Sequence, residues 1–109
     1  MYILPILKKK MTDKMLKFVE IGQQTPPKRG VETRKDDFKE IYDEFINRKA
    51  QEQSSRCSQC GVPFCQVHCP LSNNIPDWLK LTAEGRLREA YELSQSTNNM
   101  PEVCGRICP

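Results

Sequence analysis

Between Cys57 and Pro70 the chain reads CSQCGVPFCQVHCP, which places four of its six cysteines within fourteen residues. The spacing is Cys57-x2-Cys60-x4-Cys65-x3-Cys69-Pro70. No other feature constrains the fold as strongly. A loop with thiols this dense closes on whatever they share: a zinc ion, a pair of disulfides or an iron–sulfur cluster. The rest of the chain must be arranged around that loop.

The 109 residues allow one small domain. The apolar fraction is 38%, part of it cysteine, and a chain of this size buries only a modest core. A bound metal or a partner surface would therefore contribute to folding. Seventeen basic residues against fourteen acidic ones leave a net charge of +3, without one long basic block. That balance gives little support to nucleic-acid binding. The opening MYILPILKKK carries its lysines on the wrong side of the apolar residues for a signal peptide. No run reaches the roughly 18–20 apolar residues of a membrane span. The expected compartment is the cytoplasm, whose reducing conditions favour clustered cysteines as metal ligands over structural disulfides.

Two regions are expected. Residues 1–35 read as an irregular N-terminal segment that drapes over something or is mobile by itself. GQQTPPKRG cannot continue a helix, although a short helix over Lys8–Val19 is compatible with the sequence. Residues 36–109 read as a helical iron–sulfur domain. Phe38, Ile41, Tyr42, Phe45 and Ile46 fall on one face at helical spacing, which predicts a helix from Asp36 to about Ser54 with this stripe in the core. NNIPDWLKLTAEG predicts a second helix, with Asn73 or Asn74 as N-cap, Pro76 in its first turn and Gly85 as its stop. On it Ile75, Trp78, Leu79 and Thr82 share a face. GRLREAYELSQST predicts a third, with Leu87, Ala90, Tyr91 and Ser94 aligned. NNMPEVCGRICP then turns back and brings in Cys104 and Cys108. No strand-like alternation is present. The expected fold is all-α: a small helical domain with a cysteine-rich cluster-binding loop.

Zinc sites commonly join two C-x2-C pairs across a dozen or more residues, whereas here only four residues separate Cys60 from Cys65. The bacterial ferredoxin run C-x2-C-x2-C-x3-C-P is nearer, and in it the cysteine before proline reaches a second cluster. By that logic Cys57, Cys60 and Cys65 serve one cluster and Cys69 another, with Cys104 and Cys108 as sources of further ligands. Two cubanes need about eight ligands. With six cysteines and a Cys108-Pro109 ending, the chain is expected to be a fragment truncated at its C-terminus, with the remaining ligands downstream. Gly61 allows backbone amides to approach sulfur, and Pro63 and Pro70 stiffen the loop. His68, the only histidine, permits a Cys3His zinc site but reads more simply as solvent-facing. Arg56 and Arg106 flank the thiols and either offset cluster charge or lie on the surface. Neither a dinucleotide-binding glycine fingerprint nor a hydrolase Ser/His/Asp grouping is present, so no residue is read as catalytic.

TPPKRGVETRKDDFKEIY, CGVPFC, CPLSNNIPDW and TNNMPEVCGRICP together resemble the N-terminal iron–sulfur domain of the glutamate synthase small (β) subunit, over about residues 17–109. Dihydropyrimidine dehydrogenase carries a related N-terminal domain. The resemblance implies an alpha-helical ferredoxin-like domain with two low-potential [4Fe-4S] clusters, followed by an FAD- and NADPH-binding module. It implies electron flow from NADPH through FAD and the clusters to the glutamate synthase large subunit, with no nucleic-acid or membrane partner. Carried over by position, it assigns Cys57, Cys60 and Cys65 to one cluster and Cys69 and Cys108 to the other. Cys104 matches a cysteine that is not usually a ligand. Two other readings remain: the iron–sulfur domain of another flavin-dependent oxidoreductase, and a structural zinc-binding interaction module.

The intact protein is expected to be brown and to contain iron and acid-labile sulfide after anaerobic reconstitution. Metal and sulfide analysis checks this. Stoichiometric zinc without sulfide would leave the zinc module as the reading.

Overall fold

Pro76 and Gly85 delimit the helix against which three of the others pack. Pro76 occupies the first turn, where its missing N–H costs nothing. Gly85 adopts the left-handed conformation (φ 76°) that few other residues tolerate. Its N–H donates to Thr82 O and that of Arg86 donates to Leu81 O, a Schellman ending. The computed structural model describes residues 14–108. Six helices follow a 3-10 turn at Lys17–Val19: α1 (Val31–Lys35), α2 (Asn47–Ser54), α3 (Phe64–Val67), α4 (Ile75–Ala83), α5 (Leu87–Ser96) and α6 (Pro101–Ile107). Among the described residues the only β pairing is an isolated antiparallel bridge between Lys28 and Tyr42. The fold is all-α, as expected. No described helix is long and apolar enough to cross a membrane.

α4 packs against α5, α2 and α3. The contact surface is built from small side chains. Ala83 is wholly buried, Ala90 nearly so, and Ser54, Ser55 and Asn98 are the buried polar residues. Small residues let helix backbones approach closely. They bury little apolar area, however, and a fully buried large side chain would contribute about 1.5–3 kcal/mol. Ile75, Trp78, Leu79, Leu81 and Leu93 are only half-buried. The helices are thus held by close approach and polar ties more than by a thick apolar core.

The chain before α2 lies along it. Leu16 N–H donates to Cys57 O and Lys17 N–H to Ser55 O, both at 3.0 Å. The Gln53 carboxamide donates to Gly22 O (3.1 Å) and accepts from Gln24 N–H (2.9 Å), and Arg56 Nε donates to Ile21 O (2.8 Å). The N-terminal strap is therefore pinned to α2 and to the start of the thiol run. Of the short helix anticipated over Lys8–Val19, residues 8–13 lie outside the described residues, as does the MYILPILKKK opening, and residues 17–19 form the 3-10 turn.

The helix expected from Asp36 to Ser54 begins only at Asn47. Residues 36–46 instead pair with residues 27–29. Arg29 N–H donates to Ile41 O and Asp43 N–H to Pro27 O, both at 2.8 Å. The Arg29 guanidinium grips Asp37 with two bonds of 3.0 and 2.8 Å, and Asp37 also accepts from Lys39 N–H at 3.0 Å. These bonds take up groups that a helix would use, and they outweigh the apolar periodicity. The stripe does not enter a core: Phe38 is fully exposed, Ile41, Tyr42 and Ile46 are exposed, and Phe45 alone is half-buried.

The Arg29 side chain, chiefly by hydrogen bonding, and then the Lys39 amide hold the Asp37 carboxyl down at about 2 from its ordinary 3.8. A depressed carboxylate contributes stability above its unfolded value, and the contribution is lost as pH falls through its folded value. The 27–29/41–43 pairing should therefore be intact at pH 5 and loosen between about 3.8 and 2. A carbon-detected carboxyl titration checks this. A midpoint at the ordinary value would show that the Arg29–Asp37 pair does not form.

Candidate metal centre

The thiol run is fastened to the N-terminal end of α4. Gln59 does most of this. Its backbone N–H donates to Cys57 Sγ at 3.5 Å, and its side-chain Nε2 donates to the same sulfur at 3.3 Å and to Pro76 O at 2.7 Å. Gln59 within the run (φ 51°) and Ser72 just after it (φ 52°) take left-handed backbone without being glycine. Such residues are uncommon and cost about 1–3 kcal/mol unless their surroundings hold them. Each follows a cysteine closely, by two residues at Cys57 and by three at Cys69. There the turn points backbone N–H groups at sulfur, as in an anion-binding nest.

Cys69 receives the most donors. Hydrogen bonds from the Asn73 backbone amide first, then from the Leu71 amide, the Asn73 side chain and the Ser72 amide, hold its thiol below the ordinary value against an opposing effect of burial. The Asn73 side-chain donor stands 3.4 Å from the sulfur. Asn74 is the N-cap residue of α4, but no side-chain cap bond forms there. Its Oδ1 instead accepts from Gln66 Nε2 at 2.8 Å and ties α3 to α4. The expected N-cap position is right, and the amide is spent on holding the loop.

All six thiols are free. Cys57, Cys69 and Cys104 are half-buried, and Cys60, Cys65 and Cys108 are exposed. Ser58 Oγ and Cys60 Sγ are 3.1 Å apart. Cys104 sits inside α6, whereas Cys108 caps its end with extended backbone (φ −64°, ψ 124°). Among the described residues no three His, Cys, Asp or Glu side chains stand together as a metal-holding group. The structure thus sets Cys57 and Cys69 by their hydrogen bonds and does not gather Cys57, Cys60 and Cys65 on one point. The chemistry of the donor set nevertheless fits an iron–sulfur centre. It offers soft thiolate ligands, free of disulfides, with N–H donors already aimed at two of them.

Two residues that flank the thiols are occupied elsewhere. Arg56 bonds Ile21 O, and the Arg106 guanidinium is shared between Glu40 and Glu102, which ties α6 to the 36–46 segment. His68 is exposed and stacks on Phe64, with ring centroids 6.0 Å apart. Gln59, Ser72 and Asn73 are site residues that the sequence reading passed over. The only signal was a polar residue two to four positions after a cysteine.

Residues 34–109 match the family model described as dihydropyrimidine dehydrogenase domain II, 4Fe-4S cluster. The chain is 68% identical over 96 residues to the glutamate synthase [NADPH] small chain of Azospirillum brasilense, covering 88% of this chain and 20% of the relative. It is 48% identical over 99 residues to the protein of the same name from Escherichia coli K12, covering 91% and 21%. It is also 46% identical over 85 residues to an E. coli protein named as the oxidoreductase AegA, covering 77% and 13%. The chain spans about a fifth of the length of the glutamate synthase small chains it matches.

Proposed function

Because the chain belongs to the dihydropyrimidine dehydrogenase domain II family of 4Fe-4S domains, we propose that it is the electron-transfer domain of an NADPH-dependent glutamate synthase small chain. The observation that carries this reading is 68% identity, over 88% of the chain, to a small chain of that enzyme. Two [4Fe-4S] clusters, when bound, would take up and pass on single electrons. Cys57, Cys60 and Cys65 hold one, and Cys69 and Cys108 contribute to the other. The extended, exposed C-cap position of Cys108 supports its use over Cys104, which is half-buried within α6. Gln59 keeps the Cys57 sulfur hydrogen-bonded, and the Asn73 contact to the Cys69 sulfur favours its thiolate.

In this reading NADPH and FAD are bound by another part of the full-length protein, and the electrons leave for the glutamate synthase large subunit in the cytoplasm. Seventeen large apolar side chains stand exposed among the described residues, including Phe38, Val62, Phe64 and Val67. Surface of this kind supports packing against further protein. The match to AegA supports a second reading, the iron–sulfur domain of another flavin-dependent oxidoreductase. Co-purification of the full-length protein with a glutamate synthase large subunit supports the first reading. Reduction of its clusters by NADPH with no such partner retained supports the second.

The cysteines are not equivalent in this assignment. In the full-length protein Cys60→Ser and Cys108→Ser should each lose a different cluster, about half of the iron. Cys104→Ser should leave iron content and electron transfer from reduced flavin nearly unchanged. EPR of the reduced variants reports which cluster is gone. Loss of a cluster signal in Cys104→Ser, with both signals kept in Cys108→Ser, would reverse the assignment.

A further inference from the structure

Asn73 makes two side-chain contacts of opposite kind. Its Nδ2 donates to Cys69 Sγ at 3.4 Å, and its Oδ1 accepts from the hydroxyl of Thr97. Thr97 is the C-cap residue of α5, 24 positions along the chain. A ligand thiolate can only accept, so it takes the Nδ2 end of the carboxamide; that leaves Oδ1 to accept the Thr97 hydroxyl hydrogen, and this second bond holds the amide in that orientation. Were the amide reversed, a carbonyl oxygen would face a thiolate and repel it. The backbone of Asn73 is held as well, since Ile75 N–H donates to Asn73 O at 2.8 Å. Asn73 is half-buried, so the contact is partly screened from competing water.

We propose that Asn73, oriented by Thr97, is a positioning residue that sets the reduction potential of the cluster ligated by Cys69. The inference rests on the cluster assignment above. Reduction adds negative charge that spreads onto the ligand sulfurs, and an N–H donor stabilises the reduced state more than the oxidised one. The Asn73 amide therefore raises that potential. The device also couples α5 to the thiol loop: displacing the end of α5 would release the amide. Gln59 makes a comparable contact to Cys57, but its other partner is the Pro76 carbonyl, which accepts from the same Nε2 and leaves the carboxamide oxygen out of the arrangement.

The test is an EPR-monitored redox titration of the reconstituted full-length protein and its variants. Asn73→Ala and Thr97→Val should each shift one cluster to a more negative potential and leave the other unchanged. The shift should be larger for Asn73→Ala. Thr97→Ser, which keeps the hydroxyl, should restore the wild-type potential. The double variant Asn73→Ala/Thr97→Val should shift no further than Asn73→Ala alone, because Thr97 acts through the amide. Should Asn73→Ala fail to retain its cluster, Thr97→Val gives the same reading with the side-chain volume kept. A purely structural role would lower the melting temperature of Thr97→Val while both potentials stay at wild type, and that result overturns the inference with the cluster assignment intact. Wild-type protein without iron or sulfide overturns the assignment and the inference together.

Discussion

The carboxamide of Gln59, bridging the Cys57 sulfur and the Pro76 carbonyl, joins the thiol loop to the first turn of α4. The remaining architecture follows from that junction. α4 carries the contacts to α2, α3 and α5, so fixing the loop to its end places the loop thiols beside the element that those three helices share. Gln66 to Asn74 and Asn73 to Cys69 repeat the attachment from the far side of the loop. On the near side, the N-terminal strap reaches Cys57 O through the Leu16 amide. The loop is thereby held at both ends by polar side chains whose partners are backbone carbonyls, amides and sulfur.

This manner of holding a loop matches the modest core. Alanines and serines at the helix contacts permit close approach but remove little apolar surface from water. A structural metal centre supplies what such a core cannot, because binding free energy at a site that exists only in the folded state is folding free energy. The left-handed Gln59 and Ser72 fit the same account. Their strain is tolerable if the turns they make bring N–H groups to sulfur.

Much of this was legible in the sequence, and what was not has physical causes. α4 and α5 follow from Pro76, Gly85 and a regular apolar face, all local signals. α6 read only as a turn, since Pro101 in its first turn favours a helix while Gly105 within it opposes one. The 36–46 segment carries a faithful helical period and is not a helix. Its conformation is decided by Arg29 and Pro27, too far along the chain for a local window to register. At the site, the thiol spacing favoured an iron–sulfur centre but left zinc open, and the 4Fe-4S reading rests on the family match as well. The sulfur-facing amides of Gln59 and Asn73 were hidden, because an amide reaches sulfur there only through a left-handed turn that residue type does not announce.

The central claim is that a centre shared by the cysteines holds the loop around the N-terminal turn of α4. Hydrogen exchange on the full-length protein, loaded with iron and sulfide and then stripped anaerobically, tests it most directly. The account predicts that amides from Cys57 to Asn73 and the first turn of α4 are protected in the loaded protein and lose protection together on stripping, while the second half of α5 keeps its own. Unchanged protection of residues 57–73 after the iron is removed would contradict it.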